Sequence, residues 1–319
     1  MMEIKTPIVR SISVCLLIAL MACTNPGNKI PTPASSKVGG DNDRPIVLGD
    51  ISDDPAEVIE GTQPLADYLA SQLANFGITD GQVKIASTIG EMTQLLKSGQ
   101  VDLYFDSVYP ATLISDSVGA KIILRRWRFG VADYHAVIFA NQESGIASVD
   151  SLHGHLIAMD SPYSTSGFFL PSVFLTEQGV NLTPKRSYND PVEDDELGFV
   201  FSYDDENTLL WVLNGLVAVG VTDDYHFDVD FPADVTDKLV VLGRTVAVPR
   251  QVVVVRGDLD PELKDAIIQV LVNAHEAEAG SAALVPFQTT RFDEFPQGID
   301  AASEQMRAMM QIVQGLTLP

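Results

Sequence analysis

The sequence predicts an α/β protein built as two lobes, and three observations carry that expectation. Short apolar runs that read as strands alternate with segments whose apolar residues recur at helical spacing, the pattern of mainly parallel sheets flanked by helices. The alternation occurs twice, first from Pro45 and again from Tyr134. Two long extended stretches separate the runs: "YHAVIFAN" (Tyr134–Asn141), and "KLVVLGRTVAVPRQVVVVR" (Lys238–Arg256), which is long enough to cross back to the first lobe. A chain of 319 residues, 46% hydrophobic, is large enough for two cores of ordinary size.

The elements follow in order. "PIVLGDI" from Pro45 is a short buried strand, and Leu65, Tyr68, Leu69 and Leu73 then share one helix face. "QVKIAS" is a strand, and "TIGE" (Thr88–Glu91) has capping-box spacing ahead of a helix carrying Met92, Leu95 and Leu96. "VDLYFD" and "AKIILRRW" are further strands. The second run holds "HLIAMD", a helix after Gly167, a helix near "NTLLWVLNG" and the strand "LVAVGVTD". Pro261 in a first helical turn opens a helix with Leu263, Ile267, Val270 and Leu271 on its apolar face, and "SEQMRAMMQIVQ" closes the chain as a last helix. The expected lobes are 45–133 with 244–319, and 134–243. There is no internal repeat.

The ends of the chain carry other signals. Lys5 and Arg10 precede "ISVCLLIALMA", an apolar stretch too short to span a bilayer comfortably, and "LMAC" ends at Cys23. This resembles the bacterial lipoprotein signal, so residues 1–22 are expected to be removed and Cys23 lipidated. Residues 23–44, rich in Pro, Gly, Ser and Asn, read as a tether. Cys15 would leave with the leader, so the mature chain would hold no intramolecular disulfide. Acids outnumber bases 43 to 20, which excludes a nucleic-acid partner, since such a partner needs a basic surface. Losing Glu3, Lys5 and Arg10 would take the net charge from −23 to −24.

"DSPYSTSGFFLP" (Asp160–Pro171) is the candidate functional stretch. It places Ser164, Thr165, Ser166 and Gly167 where a strand hands over to a helix. A helix start leaves N–H groups unpaired and carries partial positive charge, so hydroxyls and a glycine there suit an anion. Plain N-capping accounts for the same residues.

The context adds to this. "YHAVIFANQESGIASVDSLHGHLIAMDSPYSTSGFFLPSVFLTEQGV", with "QPLADYLASQL", "GQVDLYF" and "DLDPELKDAIIQVL" in the same order, resembles the phosphate/phosphite/phosphonate-binding proteins of ABC transporters over nearly all of 45–290. The resemblance implies a two-lobed periplasmic binding-protein fold (type 2-like) that closes like a hinge on a phosphorus oxyanion. It implies an ABC permease as partner, a membrane attachment through the lipid, a monomer, and neither enzyme activity nor cofactor. It places Ser164, Thr165, Ser166 and Gly167 on the oxyanion turn, Tyr134 near the crossing, and Thr88 where the family often has tyrosine. Where the family shows a histidine and a "VDAG" strand, this chain has "SYDDEN" and Val217-Ala218-Val219-Gly220, so Asp205 and Asp223 are candidate cleft carboxylates, with Asp204 and Asp224 beside them. These acids also read as solvated loop residues.

"RRWRF" (Arg125–Phe129) either lends a cation to the cleft or, the preferred reading, lines a strand edge with snorkelling arginines. The five histidines show no metal spacing. A receptor-docking sensor of the same fold is the alternative, and a serine hydrolase using Ser164 or Ser166 is a remote one, because no "GxSxG" motif is present. Four or five charge-assisted hydrogen bonds give about 6–15 kcal/mol gross, against about 4–15 kcal/mol lost on association. One lobe alone therefore binds weakly, and closure is part of the mechanism.

Overall fold

Runs of Val, Ile and Leu become the central strands of two six-stranded sheets. The computed structural model describes residues 43–316; the leader, Cys23 and most of the tether lie outside them. In spatial order the first sheet is Thr289–Asp293, Lys121–Arg128, Gln251–Val255, Leu103–Asp106, Arg44–Ile51 and Ile78–Ala86. The second is Leu239–Arg244, Ala136–Asn141, Val219–Asp223, Leu156–Met159, Leu197–Phe201 and Leu182–Pro184. In each, the strands built by βα alternation pair in parallel, and the strands next to the crossings pair antiparallel. Parallel neighbours need a helical crossover, whereas a chain arriving from the other lobe can join from either direction.

The two crossings meet. Asp133–Tyr134 pairs antiparallel with Val248–Pro249, forming a two-stranded ladder between the sheets. Arg244, expected to begin the return, still pairs with Val137 in the second sheet, so the return falls at Val248. The ladder is two residues long on each side, so the lobes are linked there through a narrow strip of backbone.

Leu65 and Leu69 are fully buried on Pro55–Gln72, and Leu263, Ile267 and Leu271 are buried on Pro261–Asn273. Two strands (Leu182–Pro184 and Leu197–Phe201) and the helix Val108–Val118 carry no clear sequence signal. The strands flank the acidic stretch "KRSYNDPVEDDE", and one is only three residues long. Pro110 reads as a helix breaker but sits in the first turn, where a missing N–H costs nothing. The last helix, Ile299–Ile312, starts four residues before the quoted run. It buries Met306 and Met309 in a cluster that includes Ile114 of the first lobe and Phe169, Leu170 and Val173 of the second.

Candidate functional site

Three helix starts face one cavity of about 620 Å³ between the lobes. Thr88 caps Ile89–Lys97: its Oγ1 accepts the Glu91 N–H at 3.1 Å, and Glu91 in return accepts the Ser87 N–H at 2.8 Å. Ser107 precedes Val108–Val118, and its own N–H goes to Asp106 Oδ1 at 2.6 Å. Ser164 opens a wide π-type turn, Thr165–Phe169, that runs into the α-helix Leu170–Glu177. Three positive helix ends aimed at one space favour an anion there.

Of the residues singled out in the sequence, Thr88, Tyr134, Ser164, Thr165, Ser166, Asp205 and Asp223 all line this cavity. Gly167 does not. Its N–H is taken by Ser164 Oγ at 2.9 Å, and a Cβ there would stand 2.4 Å from the Cβ of Asp160. The glycine is required for the turn to pack on Asp160, not for a ligand to approach the backbone. Ser164 does more than cap: its oxygen accepts the Gly167 N–H, and its hydroxyl also bonds the Asp160 carboxylate, partly offsetting the burial that raises that acid. Thr165 Oγ1 accepts the Tyr109 N–H of the first lobe at 3.1 Å, a bond across the cleft. Burial pushes the Tyr134 phenol up, with the Ser166 hydroxyl partly offsetting it, so the phenol stays a neutral donor.

The acids separate by position. Asp204 is an exposed N-cap that accepts the Asn207 N–H at 2.9 Å. Asp224 stands 3.4 Å from His135. Asp205 accepts from Thr222 Oγ1 at 2.7 Å, and burial raises it to about 6. Burial also raises Asp160. Asp223 is the opposite case. Burial would raise it, but hydrogen bonds from His226, with the nearby Arg250 charge, hold it at about 2. His226 Nδ1 lies 2.8 Å from Asp223 Oδ2 and is raised chiefly by that bond. His226 Nε2 is 3.7 Å from Asp230.

"RRWRF" resolves residue by residue. Arg125 is held by Asp293 at 3.0 and 2.7 Å and by Asp133 at 2.6 Å. Arg126 is buried against Thr289, Gln251 and the Phe287 carbonyl. Arg128 lines the cleft, so the cation reading holds for it alone among the three. Sequence reasoning passed over Arg250 and His226, which also line the cavity. The signal for Arg250 was present: a cation between two extended runs at an expected crossing.

The lobes also touch directly. Tyr109 stacks on Phe169 with ring centroids 4.2 Å apart, and Phe129 stacks on Tyr225 at 5.5 Å. Aromatic pairs, the hydrogen bond from the Tyr109 N–H to the Thr165 hydroxyl and the apolar cluster under the last helix thus join the two lobes. Among the described residues, no group of three or more His, Cys, Asp or Glu is placed to hold a metal ion, and no helix is long and apolar enough to cross a membrane.

Residues 51–297 match the family described as "ABC transporter, phosphonate, periplasmic substrate-binding protein". Among solved structures, XAC2383 from Xanthomonas citri bound to chloride ion is 28% identical at a TM-score of 0.80, with 86% of this chain and 100% of that chain covered. The same protein bound to ATP gives 27%, 0.79, 86% and 99%. PhnD1 from Prochlorococcus marinus in complex with methylphosphonate is 17% identical at a TM-score of 0.61, covering 86% of this chain and 98% of that one, a likeness of fold.

Proposed function

This chain belongs to the periplasmic substrate-binding proteins of phosphonate ABC transporters, and from that premise we propose that it captures a phosphorus oxyanion between its lobes and delivers it to an ABC permease. One observation carries the reading: the Ser164–Ser166 hydroxyls, Tyr134 and the guanidinium groups of Arg128 and Arg250 line the same interlobe cavity. The ligand's oxygens sit on the hydroxyl turn, and closure brings the first-lobe groups onto the same ligand. XAC2383, solved with ATP, is a relative that holds a molecule whose anionic groups are phosphoryl.

Asp205 sets ligand choice. Ionised, it accepts hydrogen bonds and repels a bare dianion; protonated, it donates. A phosphonate monoanion can give its own P–OH proton to such a group, whereas sulfate has none to give. Calorimetry of the purified protein against methylphosphonate, phosphate and sulfate tests this. Methylphosphonate or phosphate binds, and sulfate binds at least about tenfold more weakly. With Asp205 at about 6, ionisation on the way up adds negative charge to the cleft. Affinity therefore falls about tenfold or more between about pH 5 and about pH 8, and Asp205→Asn flattens that step. Sulfate binding as tightly as the phosphorus ligands rejects the assignment.

The protein is anchored to the cell envelope through an acylated Cys23, which lies in the sequence outside the described residues. Two or more acyl chains anchor stably where one is marginal. Cys23→Ser leaves the precursor unprocessed or releases a soluble form, scored by membrane fractionation; wild-type maturation and fractionation of the mutant would exclude the anchor.

A further inference from the structure

We propose that the ligand carries a second anionic group, a carboxylate or another phosphoryl, and that Arg250 and Arg128 hold it. The inference rests on the phosphorus-oxyanion reading and adds to it a second binding position in the same cleft.

Arg250 is the central observation. Its side chain is 6% exposed and lines the cavity. Among the described residues its guanidinium has a single hydrogen-bond partner, Asp223 Oδ1, at a long 3.4 Å. That carboxylate is already engaged: Oδ1 takes the N–H groups of Tyr225 and His226 at 2.9 and 3.0 Å, and Oδ2 takes His226 Nδ1 at 2.8 Å. The rings of Tyr134, Tyr225 and Phe129 surround the guanidinium carbon at 5.1, 5.5 and 5.6 Å. Aromatic faces stabilise the flat faces of a guanidinium but do not accept its in-plane N–H groups as a carboxylate does. The remaining donors of Arg250 open onto the cavity, where an arriving acceptor can take them.

Arg128 repeats the pattern. Its Nε is buried with no partner among the described residues, and one terminal nitrogen reaches Gln288 Oε1 at 3.0 Å. Its basicity is lowered by burial first and by the Arg250 charge second, so the two cations feel each other. Arg128 ends a first-lobe strand and Arg250 follows the two-stranded ladder, whereas the hydroxyl turn and the acids Asp160 and Asp205 belong to the second lobe. Asp106 and Asp223 line the cavity on the guanidinium side as well, so the two cations are the groups there that attract an anion.

The cavity has room for more than a phosphorus head. Methylphosphonate has five heavy atoms, about 150 Å³ if each takes roughly the 30 Å³ of a liquid water. The cavity is about 620 Å³. A ligand that fills it extends beyond its tetrahedral head, and the guanidinium donors not used by that head call for acceptors.

Calorimetry of the purified full-length protein with methylphosphonate and with phosphonoacetate tests the proposal. Phosphonoacetate should bind at least about tenfold tighter than methylphosphonate. Arg250→Gln should remove that preference, costing phosphonoacetate at least about tenfold more affinity than it costs methylphosphonate. Arg250→Lys, which keeps the charge, should retain part of it and guards against a folding defect, with thermal melts as the control. Equal affinity of the wild type for both ligands, or an equal loss of both in Arg250→Gln, overturns the second position while the phosphorus-oxyanion reading stands. A folded protein that binds neither ligand overturns that reading as well.

Discussion

Gly167→Ala should bind methylphosphonate at least about a hundredfold more weakly than wild type and melt roughly 2–10 °C lower. The new Cβ would stand 2.4 Å from the Cβ of Asp160 and 2.8 Å from Ser164 Oγ. Neither atom can swing aside. The Asp160 Cβ is fixed to a backbone whose N–H bonds the Gly167 carbonyl at 3.0 Å and whose carbonyl accepts the Tyr203 N–H at 2.8 Å. Ser164 Oγ is tied to the Gly167 N–H itself. The turn must therefore open, at a cost of about 1–3 kcal/mol for overpacking. Opening also moves the Ser164 and Ser166 hydroxyls off the ligand, and hydrogen bonds weaken steeply as their geometry fails. Titration calorimetry with parallel thermal melts measures both effects. Wild-type affinity in a folded Gly167→Ala protein would mean that the turn does not hold the ligand.

The second large effect is expected from Thr165→Val. The side chain is 1% exposed and the exchange nearly preserves its volume, so the second lobe should keep its packing. What is lost is the acceptor for the Tyr109 N–H. In the open protein water meets that N–H. In the closed protein nothing replaces the hydroxyl, and a buried unpaired donor costs about 1–3 kcal/mol. The loss falls on closure, so affinity drops roughly 5- to 150-fold. It should appear mainly as faster dissociation, measurable by stopped flow, with little change in association. An unchanged dissociation rate would show that Thr165 takes no part in holding the lobes together.

Much of the fold could be read from the sequence, because its signals are local. The period of the apolar runs gave the strands and most helices, "TIGE" became a capping box with Glu91 reaching back to Ser87, and two extended runs became the two-stranded ladder. The hydroxyl turn was equally legible, since strand, hydroxyls and helix start lie within a dozen residues. What escaped was long-range. Thr165 and Tyr109 are 56 residues apart, and no spacing rule joins them. Gly167 has the composition of a ligand-contacting residue, yet its need comes from the side chain of Asp160, seven positions away around a turn. Arg125, Arg126 and Arg128 look alike in sequence; only the placement of Asp293, Asp133, Thr289 and Gln251 shows that the first two are fully engaged and the third is not. Asp223 likewise reads as a free cleft acid until His226 and Arg250 are seen beside it.

A crystal structure of the protein grown with methylphosphonate tests the oxyanion site most directly. The expected result places phosphonate oxygens about 2.5–3.0 Å from the Ser164 and Ser166 hydroxyls, with the lobes closed and Thr165 Oγ1 still on the Tyr109 N–H. A phosphonate bound away from the Ser164–Ser166 turn, or held by one lobe with the cleft open, would contradict it.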